Sequence, residues 1–224
     1  MQVLKIGGNE LDDAAFLAGM AQTVAASSEP VVIVHGGGRA IAELQARLGL
    51  PTVKIDGLRV TDAESLAVAQ MVLSGQANKQ IVAALLAEGV DAVGLSGVDG
   101  GLLRCRKKHH PLADLGYVGE IVQVRADMIQ QLAAQGITTV ISPVSLGLDG
   151  HIYNVNADEA ASTVALALNA SLLNFVSNVP GVLQNGTVIP ALTITQTEQL
   201  IAGGIIGDGM VPKVRAALDA VAKG

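Results

Sequence analysis

Val3-Leu4-Lys5-Ile6-Gly7-Gly8 is a short apolar stretch that carries one lysine and ends in two glycines. It predicts a strand that runs into a tight turn. The pattern recurs in Val32-Ile33-Val34-His35-Gly36-Gly37-Gly38, which precedes a helical segment. Glycines at such turns let backbone N–H groups approach an anion, and the helix dipole adds positive potential there. The two turns together therefore indicate an anion-binding edge, although a pair such as Gly7-Gly8 taken alone is more often a simple connection.

Composition limits the classes of protein that this chain can belong to. The 224 residues are 50% hydrophobic and 2% aromatic, with no tryptophan, which suits parallel strands covered by helices. A net charge of −6 does not favour nucleic-acid binding, and the four histidines show no metal-ligand spacing. A single cysteine, Cys105, fits a reducing compartment, and no apolar run reaches the roughly 18 residues of a membrane span. We therefore expect a cytoplasmic protein without nucleic-acid, membrane or protein-held metal partners.

Apolar runs alternate with helical patterns along most of the chain. This alternation predicts an α/β fold in which a mainly parallel sheet has helices on both faces. Predicted strands cover residues 3–6, 31–35, 91–95, 102–106, 117–124, 138–142, 152–154 and 172–176. Predicted helices cover residues 12–26, 39–48, 63–73, 77–87, 126–134, 157–168, 195–202 and 212–222, with a break near Gly75. Ligands of such sheets bind beyond the carboxyl ends of the strands, where both glycine turns fall.

A second lysine, Lys213, ends the glycine-rich stretch Gly207-Asp208-Gly209-Met210-Val211-Pro212-Lys213. Two lysines beside glycine turns suit phosphoryl transfer, because its catalysis is mostly positioning and charge stabilisation. The chain has no Gly-x-x-x-x-Gly-Lys-Ser/Thr motif, and no Gly-x-Gly-x-x-Gly follows a strand. A Walker-type ATPase and a dinucleotide site are therefore both disfavoured.

Three further motifs each have two interpretations. Asn154-Val155-Asn156-Ala157-Asp158 is either a helix cap or a site where Asn154 binds substrate and Asp158 holds lysine ammonium groups. Arg59, in Gly57-Leu58-Arg59-Val60-Thr61, is either a surface ion pair or a bidentate clamp on a carboxylate. The basic run formed by Arg104, Arg106, Lys107 and Lys108 is either a solvated face or a dock for an acidic partner.

Taken together, the motifs point to one family. They occur in this order: Val-x-Lys-x-Gly-Gly, Val-Ile-Val-His-Gly-Gly-Gly, Gly-Leu-Arg-Val-Thr, Gly94-Leu95-Ser96-Gly97, Asn-Val-Asn-Ala-Asp and Gly-Met-Val-Pro-Lys, with Asp114-Leu115-Gly116-Tyr117-Val118-Gly119-Glu120 in addition. From Val3 to Ala222 the chain closely resembles the N-acetylglutamate kinases of the amino-acid kinase superfamily. The resemblance implies a three-layer α/β/α sandwich around a mainly parallel sheet of about eight strands. It also implies ATP-dependent phosphorylation of the side-chain carboxylate of N-acetyl-L-glutamate in arginine biosynthesis, with Mg²⁺.

The resemblance also assigns residues to roles. It implies that Lys5 and Lys213 are the catalytic lysines and that Asp158 organises them. The implied acetylglutamate contacts are Gly37, Gly38, Arg59 and Asn154. The implied nucleotide contacts are Gly7, Gly8, Asn178, Val179, Pro180, Gly181, Val182, Leu183, Ile205, Ile206 and Gly207. Asn178 departs from the aspartate that the family usually has at this position.

The resemblance implies one kinase domain over residues 1–224, with an amino-acid lobe to about residue 170 and an ATP lobe after it. Family members usually continue for a few dozen residues that add closing strands, so we expect a truncated ATP lobe. Only four residues precede Lys5, so we expect no N-terminal linking helix, and hence a homodimer that arginine does not inhibit. Two alternatives stay open, namely a kinase for carrier-protein-bound aminoadipate or glutamate, and a non-catalytic amino-acid-binding module.

Overall fold

The structure is a computed structural model that describes residues 1–176, 179–207 and 210–223. The strands are β1 (Gln2–Ile6), β2 (Val31–His35), β3 (Lys54–Ile55), β4 (Leu58–Arg59), β5 (Ala92–Gly97), β6 (Leu103–Lys107), β7 (Val118–Val124), β8 (Thr138–Gly147), β9 (Ile152–Val155), β10 (Leu172–Val176), β11 (Leu183–Gln184) and β12 (Thr187–Val188). The helices are α1 (Ala14–Ala25), α2 (Gly38–Arg47), α3 (Ala63–Gln70), α4 (Asn78–Ala87), α5 (Ala126–Ala134), α6 (Ala157–Ala167), α7 (Ile194–Ala202) and α8 (Val211–Lys223).

Eight strands form one mixed sheet in the order β10-β1-β2-β8-β6-β7-β9, with β5 added beside β8. The pairs β10–β1, β1–β2, β2–β8 and β5–β8 are all parallel, whereas β6–β7 and β8–β9 are antiparallel. The parallel register places Lys5 of β1 opposite Val34 of β2 and opposite Phe175 of β10. The carboxyl ends of these central strands therefore lie together at one edge, which confirms the predicted fold class.

Side-chain alternation in the central strands builds a hydrophobic core on each face of the sheet. Val32 and Val34 of β2 join the core that includes α6, whereas Val31 and Ile33 join the core that includes α1 and α4. All five residues of β2 are buried, as expected for a strand that is covered on both faces. The helices on the two faces and the sheet between them make the three predicted layers.

The main differences from the predicted elements have local causes. The predicted break near Gly75 is absent, because a π-helical segment, Met71–Ala77, joins α3 to α4 without interruption. Strand β8 runs on past Ser142 to Gly147, beyond its predicted end. Two short hairpins, β3–β4 and β11–β12, were not predicted, since strands of two residues carry too little pattern to detect.

Within the described ranges, none of the helices combines the length and apolar character that crossing a membrane requires.

Candidate active site

Two glycine turns face each other at the carboxyl ends of β1 and β2. A Cβ atom on Gly8 would lie 2.7 Å from the Cα of Gly37 and 2.8 Å from the nitrogen of Gly38, so only glycine fits there. The N–H of Gly36 donates to the carbonyl oxygen of Ile6 at 2.9 Å, which fixes the two turns relative to each other. Close backbone contact of this kind leaves N–H groups, rather than side chains, to line the space above the turns.

The N–H groups of these turns are not equally free. Gly7 donates to the carbonyl oxygen of Val176 at 3.3 Å and so belongs to the sheet. Gly8 and Gly37 have no acceptor for their N–H groups within the described residues. Free N–H groups at the start of α2 form a favourable place for an anion, since the helix dipole adds positive potential.

Lys5 is buried beside these turns and forms an ion pair with Asp158. Its Nζ lies 2.8 Å from Asp158 Oδ1, and the two side chains are only 5% and 11% exposed. Asp158 lies in the first turn of α6, where the helix dipole favours a carboxylate. The cap of this helix is Asn156, which accepts hydrogen bonds from the N–H groups of Asp158 and Glu159. The capping role and the ion-pair role of this motif therefore belong to different residues.

A cleft of about 400 Å³ opens above the glycine turns and brings both lysines together. Lys5 enters it from β1 and Lys213 from the first turn of α8, although the two residues lie near opposite ends of the chain. Of the residues that the structure describes, the lining holds five basic side chains and a single acidic one, Glu10. The lining residues are Lys5, Gly7, Gly8, Asn9, Glu10, Gly38, Arg39, Ala42, Thr52, Lys54, Arg59 and Lys213. Such an excess of positive charge suits a polyanionic ligand.

Arg59 lines the same cleft and is held by neighbouring polar groups. Its Nη1 donates to Gln45 Oε1 at 2.7 Å, and its Nη2 donates to the carbonyl oxygen of Gly38 at 2.9 Å. Burial lowers the pKa of Arg59. Partial removal from water strengthens the interaction of a guanidinium group with an incoming carboxylate.

Gln45 is a residue that the sequence analysis missed. It is fully buried, and its amide bridges the site by accepting from Arg59 and Thr52 and donating to Ser65 Oγ at 2.9 Å. The available signal was its spacing, because Gln45 follows the buried Ile41 by four residues on the core-facing side of α2. A polar residue at a core-facing helical position needs partners, and here these partners orient Arg59.

His35 was quoted in the glycine motif but was not given a role. It is fully buried, and its Nδ1 lies 2.9 Å from the carbonyl oxygen of Gly36. The side chain of Asn78 donates to its Nε2 at 3.2 Å and to the carbonyl oxygen of Val140 at 3.0 Å. Burial lowers the pKa of His35 to about 4, so the ring stays neutral near pH 7 and braces the second glycine turn.

The remaining predicted site residues lie at different distances from the cleft. Gly37 is packed under it, since a Cβ there would lie 2.7 Å from Leu73 Cδ2. Asn154 contacts Thr61 Oγ1 at 3.4 Å and does not line the cleft. Asp158 pairs with Lys5, and within the described residues no ion pair joins it to Lys213. Asn178 lies outside the described residues.

The described nucleotide-contact candidates other than Gly7 and Gly8 also lie outside the cleft lining. Val179, Pro180 and Leu183 are exposed around the β11–β12 hairpin, with Gly181 and Val182 half-buried between them. Ile206 is buried, whereas Ile205 and Gly207 are exposed. Their predicted roles therefore stay predictions.

The basic run is largely neutralised by the chain itself. Arg106 pairs with Glu120 at 3.2 Å, Lys107 with Asp114 at 2.8 Å and Lys108 with Glu159 at 2.6 Å. Arg104 donates to the carbonyl oxygen of Gly147 at 3.1 Å. This pattern is typical of a solvated, ion-paired face.

The chain as a whole is similar to known proteins. The sequence model of the family described as "Amino acid kinase family" matches residues 1–224. The chain belongs to the amino acid kinase family. This confirms the resemblance that the motifs indicated, and the alternation of strands and helices is the fold of this family.

Individual relatives in the amino acid kinase family agree with this assignment. The acetylglutamate kinase of Roseiflexus castenholzii is 51% identical over 222 residues, which cover 99% of this chain and 85% of the relative. That of Chloroflexus aurantiacus is 50% identical and covers 100% of this chain and 89% of the relative. A crystal structure from Streptococcus mutans UA159 superimposes with a TM-score of 0.89 at 31% identity, covering 100% of this chain and 91% of the other.

Proposed function

We propose that this protein is an acetylglutamate kinase. It transfers the γ-phosphoryl group of ATP to the side-chain carboxylate of N-acetyl-L-glutamate and produces N-acetyl-L-glutamyl 5-phosphate in arginine biosynthesis. The observation that carries the proposal is the single cleft in which Lys5, Lys213, Arg59 and two glycine turns meet. The acetylglutamate kinase relatives at about 50% identity give the substrate.

The cleft supplies the positive charge that this reaction needs, and the reaction does not require a general base. The acceptor carboxylate is already ionised at pH 7, so no general base has to remove a proton. A carboxylate oxygen attacks the γ-phosphorus while the bond from that phosphorus to the bridging oxygen of ADP breaks. Both reactants are anionic, so catalysis requires neutralisation of charge as it moves between them. Lys5, Lys213 and the free N–H groups of Gly8 and Gly37 provide it.

We assign the amino-acid substrate to the part of the cleft lined by Arg59 and Gly38. In this assignment Gly37 supports that part from below, and Asn154 reaches the substrate from outside the present cleft lining. ATP approaches from the opposite side, formed by residues after about 170. In the described parts of the chain, no group of three or more His, Cys, Asp or Glu side chains could hold a metal ion by itself. Mg²⁺ would supply charge neutralisation at the phosphates. The described part of the cleft lining offers one carboxylate, which fits this role because Mg²⁺ commonly uses one or two carboxylates together with substrate phosphates.

Two other properties belong to the same proposal. A cytoplasmic location follows from the biosynthetic role and the single buried cysteine. A homodimer is proposed because a two-fold contact is the commonest closed symmetry.

The carrier-bound alternative is less well supported. It needs the basic run to attract an acidic carrier protein, but Arg106, Lys107 and Lys108 already have carboxylate partners within the chain. The non-catalytic alternative does not explain why the Lys5–Asp158 pair is buried beside free N–H groups.

The test is ADP release from ATP in the presence of L-glutamate, L-aspartate or aminoadipate. Each amino acid is assayed both in its free form and in its N-acetylated form, which includes N-acetyl-L-glutamate. We expect turnover with N-acetyl-L-glutamate well above that with the others. Absence of turnover with every free substrate, together with turnover when the substrate is bound to a carrier protein, would support the first alternative. Nucleotide binding without turnover of any substrate would support the second.

Arg59→Lys is expected to raise the KM for N-acetyl-L-glutamate roughly tenfold or more while the KM for ATP changes little. A point-charge ammonium group cannot reproduce the fork that a guanidinium group presents to a carboxylate. Steady-state kinetics with each substrate varied in turn measures both constants. A rise in the KM for ATP alone would assign Arg59 to the nucleotide side instead.

Gln45→Leu is expected to raise the KM for N-acetyl-L-glutamate as well, through its effect on Arg59. Removing the amide takes away the closer acceptor of Arg59 Nη1 and leaves only Thr52 Oγ1 at 3.5 Å. The KM for N-acetyl-L-glutamate should therefore rise by about tenfold while kcat falls less. Gln45→Glu retains an acceptor oxygen for Arg59 and should recover much of the loss. If both variants lose kcat equally and keep the KM, Gln45 has only a structural role.

A further inference from the structure

Among the residues that the structure describes, Glu10 is the one acidic residue in the cleft lining, and its carboxylate has no partner there. Its Oε2 atom is buried, with no hydrogen-bond donor and no cation within ion-pair distance among the described residues. The carboxylate lies over Gly7, and a Cβ atom on Gly7 would collide with Glu10 Oε2. The glycine turn therefore leaves room for this carboxylate group at the cleft lining.

The neighbouring acidic residues all have structural partners. Asp12 and Glu43 both pair with Arg39, and Asp13 caps α1 by accepting from the N–H groups of Ala15 and Phe16. Glu10 lines a cleft with five described basic side chains, and among the described residues it pairs with none of them. A structural ion pair or a cap therefore does not explain its position.

An unpartnered carboxylate beside a phosphate site is unfavourable in two ways. Burial without a partner costs free energy, and the phosphates of ATP would repel it. A divalent cation between carboxylate and phosphates removes both penalties at once. Mg²⁺ usually keeps several waters and is held by one or two carboxylates plus phosphate oxygens, so a single protein carboxylate is sufficient.

We propose that Glu10 is the carboxylate through which this protein holds the divalent cation that accompanies ATP. The proposal rests on the proposed function, because nucleotide phosphates supply the other ligands. The first glycine turn then serves two ligands, since Gly8 offers an N–H group to an anion and Glu10, two residues later, faces the cation.

Isothermal titration of ADP with and without Mg²⁺ tests this in the wild-type protein, in Glu10→Gln and in the control Glu43→Gln. Glu43 is a nearby carboxylate that pairs with Arg39 instead of lining the cleft. We expect Mg²⁺ to tighten ADP binding about tenfold in the wild type and in Glu43→Gln. Glu10→Gln should lose most of that gain, yet bind metal-free ADP at least as tightly as the wild type, because a repulsive charge is gone.

A spectroscopic readout independent of affinity uses Mn²⁺ with ADP. The electron paramagnetic resonance signal of bound Mn²⁺ should appear with wild type and weaken strongly with Glu10→Gln, with Glu10→Asp in between because its side chain is shorter. If Mg²⁺ tightens ADP binding to Glu10→Gln as much as to the wild type, and the signal of bound Mn²⁺ is also unchanged, the inference about Glu10 is wrong while the proposed function stands. Wild-type protein that binds no ADP would overturn the proposed function and this inference with it.

Discussion

Lys213→Ala is expected to lower kcat by a factor on the order of 10²–10³, with much smaller changes in both KM values. Lys213 enters the cleft from α8, and Lys5 enters it from β1. Negative charge redistributes over the transferring phosphoryl group only as the reaction proceeds. A cation fixed at that place therefore stabilises the transition state more than it stabilises bound substrates.

Lys54→Ala is a matched control for this prediction. Lys54 lines the same cleft with the same charge, but it belongs to the β3–β4 hairpin and its side chain is exposed. Loss of general positive potential would affect both variants alike, whereas loss of a specific contact affects Lys213→Ala alone. Single-turnover kinetics at saturating substrates separates the chemical step from binding. Comparable rates for both variants would contradict the two-lysine mechanism.

The central strands were predictable because their pattern is local. Residues 31–35 and 172–176 are mostly apolar runs bounded by polar or turn residues, and the structure has strands with the same bounds. The glycine turns were predictable for the same reason. A run of apolar residues that ends in glycines carries its own boundary.

Strand β8 was predicted too short because its continuation depends on other strands. Pro143 follows Ser142, and a proline normally ends a central strand because it lacks an N–H group. Here the register of β5 against β8 shifts at this point, from Ser96 opposite Ser142 to Gly97 opposite Ser145. Beyond the irregularity β8 keeps one pair with β5, at Ser145, and gains β6 and β9 as new partners. Only the tertiary arrangement supplies those partners.

The candidate site shows the same division between local and long-range information. Lys5, Arg59 and Lys213 were identified by motif, but no sequence pattern places them around one cleft. Gln45 and Glu10 were missed because each reads as an ordinary polar residue next to an apolar pattern. Their significance lies in contacts: Gln45 has partners from three separate segments, and the buried oxygen of Glu10 has none within the described residues.

Asp158→Ala is expected to lower the free energy of unfolding by on the order of 3–5 kcal/mol, because it leaves the ammonium group of Lys5 buried without a counter-charge. The pair is suited to this test, since the side chain of Lys5 is only 5% exposed and Asp158 Oδ1 lies 2.8 Å from its Nζ. Urea unfolding followed by circular dichroism measures the change.

Glu159→Ala is the matched control, because Glu159 is the next residue of the same helix turn and also pairs with a lysine, Lys108. Its side chain is 39% exposed, so the expected loss is about 0–1 kcal/mol. The double variant Lys5→Met/Asp158→Ala removes both charges and should recover much of the stability that Asp158→Ala loses, without recovering activity. If the double variant is no more stable than Asp158→Ala, the loss comes from packing around α6, and the buried charge of Lys5 is not its cause.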